Sequence, residues 1–87
     1  MKVENFTSNN GNKVTNQFII YCDDKTVFQS YNSIIAIKYG NGKTELDERF
    51  WDYSKTTGKY RNQFLCENKK ETEMKIASGE YILTNLN

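Results

Sequence analysis

The alternation of apolar and polar side chains marks most of this chain's elements. Lys2 to Phe6 is a short strand candidate, followed by Thr7-Ser8-Asn9-Asn10-Gly11-Asn12, a loop dense in turn formers. Asn16 to Cys22 carries β-branched and aromatic residues, with Phe18, Ile20 and Cys22 on one face and Ile19 and Tyr21 on the other. Asp23-Asp24-Lys25 turns the chain and Thr26 to Tyr31 returns, so residues 16–31 read as a hairpin. Ile34-Ile35-Ala36-Ile37-Lys38-Tyr39 is apolar on both faces near its middle, which predicts a central strand. Gly40-Asn41-Gly42 is a turn signal, because Asn and Gly tolerate positive φ. The short, polar run Lys43 to Leu46 then reads as an edge strand.

The next ten residues follow neither period. Asp47 to Thr56 places Phe50, Trp51 and Tyr53 within four positions and reads as an extended strand end or a structured loop. Thr56 or Thr57 can cap a short helix over about Gly58 to Leu65, with Tyr60 and Phe64 four apart on one face. Asn68-Lys69-Lys70-Glu71 has the form of a capping box and starts a second helix that Gly79 ends. Met74 and Ala77 are the positions expected to face inward, with Ile76 and Cys66 as further candidates. Glu80 to Leu86 is a last strand. Strands first, then helices, then a strand predict an α+β domain over residues 1–87. Its antiparallel sheet has four to five strands, an N-terminal meander plus the C-terminal strand. The two short helices lie between the fourth strand and the last. The last strand is expected to rejoin the sheet, because a lone strand leaves backbone groups unpaired.

Composition narrows the function classes. At 87 residues the core is small, and a surface that engages a partner is easier to build on it than a deep active site. The apolar fraction is 37% and the charged fraction 26%, yet 14% aromatic content argues against disorder. A formal charge of +1 makes the chain neither a strongly acidic DNA mimic nor a basic nucleic-acid coat. No histidine is present, which removes the commonest general base near neutral pH and the commonest metal ligand. We therefore expect no enzyme, no cofactor and no metal. Cys22 and Cys66 read as reduced thiols, because Met1-Lys2-Val3-Glu4-Asn5 leads into polar sequence without a signal-peptide core. No apolar run approaches the roughly 20 residues of a membrane span. Those features predict a cytoplasmic protein.

Candidate catalytic motifs fall away on inspection. Gly40-Asn41-Gly42-Lys43 lacks the spacing and the following helix of a phosphate loop. The acidic pairs Asp23-Asp24 and Asp47-Glu48 lack a loop that supplies six or more oxygens to a hard cation. Cys22, Cys66, Ser54 and Ser78 have no histidine to activate them. A thiolate at Cys66 would depend on Arg61, Lys69 or Lys70.

The most distinctive stretch is residues 49–64, where aromatic rings alternate with Arg49, Lys55, Lys59 and Arg61. Rings that stack on bases and cations that meet phosphates compose single-strand and RNA-binding surfaces. The competing reading makes Phe50, Trp51, Tyr60 and Phe64 core anchors and leaves the cations solvated. The two are compatible if Tyr53 and Arg61 are exposed. Trp51, Tyr53, Lys55, Lys59 and Arg61 are accordingly the candidate binding residues, since exposed aromatics and arginines make interface hot spots.

Asn16-Gln17-Phe18, Phe28 to Ala36, Leu46-Asp47, Trp51 to Leu65 and Ser78 to Tyr81 together resemble a family of small uncharacterised proteins encoded by bacteriophages and integrated mobile elements. The stretch Trp51-Asp52-Tyr53-Ser54-x-Thr56-Thr57-x-x-Tyr60 is the most specific part. The resemblance implies a phage or mobile-element accessory protein in the cytoplasm of a bacterial host. Such a protein binds and modulates a host protein or nucleoprotein, and inhibition of a defence system, as by anti-CRISPR proteins, is one version. The alternative is a single-stranded nucleic-acid-binding module that uses residues 49–64.

Overall fold

The computed structural model describes residues 1–87. Six strands form one sheet in sequence order: β1 (Lys2–Thr7), β2 (Lys13–Tyr21), β3 (Lys25–Ser30), β4 (Ser33–Tyr39), β5 (Thr44–Asp47) and β6 (Tyr81–Thr84). Helices α1 (Lys55–Leu65) and α2 (Lys69–Ser78) connect β5 to β6. The α+β class stands, but the sheet has six strands where four to five were expected.

The first five strands pair antiparallel, each with the next. Short turns make that order, and Gly42 at φ 92 supplies the left-handed residue of the β4–β5 turn. β6 instead runs parallel to β5, with Thr44 opposite Tyr81 and Asp47 opposite Thr84. Two helices between them return the chain to the same end of the sheet, and that crossover permits parallel pairing. It also corrects the placement of β5, which lies between β4 and β6 and is not an edge.

Register separates the two faces. Ile19, Phe28, Ala36, Leu46 and Leu83 form a cross-strand row under the helices. Phe28, Ala36 and Leu46 in that row have no exposed surface, and Tyr60 and Phe64 of α1 close over them. Phe6 meets Phe28 edge-on at 5.2 Å and Tyr60 at 5.3 Å. The opposite row runs Val3, Ile20, Val27, Ile37, Glu45 and Ile82. Val27 and Ile37 are buried there among their lateral neighbours, outside the core cluster.

Both helices depart from the sequence expectation. Ser54 caps α1, at φ −151 and accepting from the Thr57 amide, so the helix starts before Thr56 and Thr57. In α2 the buried residue is Thr72 and Ile76 packs half-buried against the core as expected, while Met74 and Ala77 face solvent. The reason is polar docking. Glu67 accepts hydrogen bonds from Thr72 Oγ1, from Lys75 Nζ at 2.7 Å and from Tyr81 Oη at 2.8 Å. This buried carboxylate ties α2 to β6 where an apolar stripe was expected.

Candidate aromatic and basic binding site

Asp47 starts the corner that carries the candidate residues. It is buried, and its Oδ2 accepts from the Arg49 and Phe50 amides at 3.0 and 2.9 Å. Its Oδ1 accepts from the Leu86 amide at 2.8 Å and from Asn87 Nδ2 at 3.0 Å. Burial pushes this carboxyl up, but the four hydrogen bonds outweigh it and hold the group below the usual carboxylate range. One side chain thus turns the chain out of β5 and clamps the residues after β6.

Arg61 fixes the far side of the same turn. Expected at the surface, it is 1% exposed. Its Nη1 donates to the Trp51 carbonyl at 2.7 Å and to Asp52 Oδ1 at 3.0 Å, and Nη2 donates to Asn62 Oδ1 at 3.0 Å. The guanidinium lies 5.2 Å from the centre of the half-buried Trp51 ring. A planar donor fork fits a carbonyl and a carboxylate side by side, so Arg61 is consumed by the fold. Asp52 also takes Lys69 Nζ of α2 at 2.7 Å. Burial raises the Asp52 carboxyl, yet the hydrogen bonds and charges of Lys69 and Arg61 prevail and hold it low; the same contact raises Lys69.

The remaining candidates stand in solvent on this frame. Tyr53 is 71% exposed, and its ring leans edge-on against Phe50 at 5.5 Å. Lys55 and Lys59 are exposed and form no ion pair. Lys59 Nζ lies 5.5 Å from the Tyr60 ring centre. Both lysines border an open cleft with Asp52, Arg61 and Lys69, and no apolar residue lines it. The first turn of α1 contains no acid. The corner therefore presents positive charge at a helix start, where backbone amides already favour anions.

Of the five sequence-picked residues, Tyr53, Lys55 and Lys59 form the accessible surface, while Trp51 and Arg61 support it. Sequence reasoning missed Lys69, which looked like part of a solvated helix face, and Asp47, whose contact with residues 86–87 is non-local. It also missed Tyr31, which shares a second cleft with Tyr53. Both cysteines are free thiols: Cys22 is half-buried, and the exposed Cys66 caps α1 at φ 57. No helix is long and apolar enough to cross a membrane.

The family model described as "Family of unknown function (DUF8033)" matches residues 1–81, and the chain belongs to that family. No curated protein and no solved structure matches it.

Proposed function

We propose that this member of a family of unknown function is a non-catalytic binding domain. In this reading it is a phage or mobile-element accessory protein that engages a host protein or nucleoprotein and modulates it. The partner presents negative charge to the corner at the start of α1. The observation that carries this reading is the division of labour in residues 51–61. Trp51 and Arg61 are spent on holding the turn, and Tyr53, Lys55 and Lys59 project from it exposed, the two lysines without an ion pair. A rigid platform with an exposed ring and free cations loses little entropy on binding.

Lys55 adds a thermodynamic argument. It is the first residue of α1, so its charge sits at the positive end of the helix dipole. That placement costs roughly 0.3–1 kcal/mol. An anion bound at this helix start would offset that cost.

The test is capture from host lysate by the tagged parent and by a Tyr53→Ala/Lys59→Glu variant, with and without nuclease. We expect a partner that the parent retains and the folded variant loses. Equal recovery by both proteins sinks the site assignment.

A second reading, a single-stranded nucleic-acid module, is favoured by the convergence of Lys55, Lys59 and Lys69 on one polar cleft. It predicts affinity that falls steeply with salt, and partners that vanish from the capture when nuclease is added.

A further inference from the structure

We propose that the cleft between the β3–β4 turn and the turn at residues 50–54 is a nucleotide site. It takes the planar ring of one nucleotide unit against Tyr31 and Tyr53 and the phosphate on Lys55 and Lys59. The inference rests on the corner being a ligand-binding face, and it adds a ring-binding half to the basic half.

The cleft has a volume of about 320 Å³, enough for one ring system and its sugar. Ile35 and Phe50 give it an apolar wall, and Tyr31 and Tyr53 stand at its mouth, 58% and 71% exposed. Its polar floor is a chain of hydroxyls: Ser30 Oγ lies 3.2 Å from Thr57 Oγ1, and Ser54 Oγ donates to Thr57 Oγ1 at 3.2 Å. Ser54 also borders the basic cleft, so the two clefts meet at that residue. A ligand filling both needs a flat, partly apolar body and an anion a short distance away, which is the shape and charge of a nucleotide.

Tyr31 supplies an independent argument. It begins the two-residue turn between the paired Ser30 and Ser33, with φ at 54. A left-handed conformation is costly for a bulky side chain and is usually given to glycine. Here the surroundings hold it: the Tyr31 amide donates to the Asn16 carbonyl at 2.7 Å, and Gln29 Nε2 donates to the Tyr31 carbonyl at 2.7 Å. The ring itself is mostly in solvent, so packing does not explain a tyrosine at a glycine position. Strain held in place beside an exposed ring is a mark of ligand clamps. Tyr53 is likewise pre-positioned, by its edge contact with Phe50.

The experiment uses the purified chain at low salt, with a dye-labelled single-stranded oligothymidine in one arm and thymidine monophosphate in the other. Duplex of the same length is the control. Tyr31→Gly removes the ring and relaxes the turn, so it should fold at least as well as the parent. Tyr31→Phe keeps the ring. We expect Tyr31→Gly to weaken binding about tenfold and Tyr31→Phe to stay within about threefold of the parent. Binding of the monophosphate with that pattern assigns a free-nucleotide pocket; binding of the oligomer alone with that pattern assigns a unit of a strand. The proposal is overturned if neither probe binds, if Tyr31→Gly binds like the parent, if Tyr31→Phe loses as much as Tyr31→Gly, or if duplex binds as tightly as single strand. A host protein captured through Lys59 with no nucleotide binding would leave the accessory-protein reading intact and end this one.

Discussion

The two helices of this protein obey local rules to opposite degrees. α2 begins with a complete capping box: Asn68 Oδ1 accepts from the Glu71 amide at 2.8 Å, and Glu71 Oε1 accepts from the Asn68 amide at 3.1 Å. It starts on Lys69 and Lys70, but it has an acid in its first turn, a lysine in its last, and Gly79 at φ 86 as its C-cap. α1 has a lysine at its first position, no acid in its first turn, no base in its last, and Cys66 at φ 57 where glycine is favoured. Packing runs the other way. α1 buries Thr57, Gly58, Tyr60, Arg61 and Phe64, whereas α2 buries only Thr72. Tertiary contacts hold α1, so its ends can break the rules that α2 needs. A lysine at the helix start is common to both, so the contrast lies in the caps, the first-turn acid and the packing.

The sharpest attack on this contrast is Arg61→Met, which keeps the stem but strips the guanidinium from the Trp51 carbonyl and Asp52. We expect a loss of about 3 kcal/mol, read by urea unfolding. A loss under about 1 kcal/mol would mean that Arg61 is not the frame.

Glu67→Gln attacks the docking of α2 and should cost about 2 kcal/mol, because the buried acceptor of three donors loses its charge. The pH profile follows from the same groups. Burial raises Glu67, but hydrogen bonds from Lys75, Thr72 and Tyr81 outweigh it and lower the carboxyl, as Asp47 and Asp52 are lowered by theirs. Their stabilisation is present above the ordinary carboxylate values, 3.8 for the Asp pair and 4.5 for Glu67, and is lost as pH falls through the lower folded values. At the alkaline end, burial and the Glu67 hydrogen bond push Tyr81 from 10.0 up to about 12, and Lys75 is raised too, chiefly by its hydrogen bond to Glu67. That contribution is full below pH 10.0 and lost as pH rises through about 12. Melting temperatures across pH should show a plateau with both shoulders, and the alkaline shoulder should weaken in Glu67→Gln.

Asn68→Ala removes one half of the capping box and should cost about 1 kcal/mol. Lys55→Glu has the smallest stability effect and the opposite sign, a gain of up to about 1 kcal/mol from reversing a charge at the helix start. Calorimetry compares the two variants, and a loss in Lys55→Glu would erase the contrast between the helices.

Much of the fold was legible because its signals are local. β-branched and aromatic runs located β2 to β4, Asn41-Gly42 located a turn, and Asn68 with Glu71 and Gly79 bracketed α2. What failed was non-local. Thr44-Glu45-Leu46-Asp47 looks like an edge because it is polar, but β6 returns from a distant part of the sequence to cover it. Its Asp47 is tolerable inside because residues 49, 50, 86 and 87 supply its donors. Met74 and Ala77 were expected inside because they are apolar, yet α2 docks through Glu67 and Thr72, with Ile76 alone of the expected apolar positions on the core. The start of α1 was expected at Thr56 or Thr57, and Ser54 was missed as its cap because three hydroxyl residues stand close together and only Ser54 reaches the Thr57 amide. For the site, the stretch 49–64 was conspicuous in the sequence, and Tyr53, Lys55 and Lys59 do share a surface. Arg61 was misplaced because an arginine reads as exposed until its carbonyl and carboxylate partners are in view. Tyr31 was invisible because neither its left-handed turn nor its shared cleft with Tyr53 has a local pattern.

The account turns on whether the charges at the start of α1 are kept for binding at the expense of stability. The direct measurement is a pair of readings on Lys55→Glu/Lys59→Glu: its melting temperature, and its recovery of the parent's partners from host lysate. The account predicts a melting temperature equal to or above the parent's, together with loss of those partners. A variant that melts lower, or that recovers the same partners in the same yield, would contradict it.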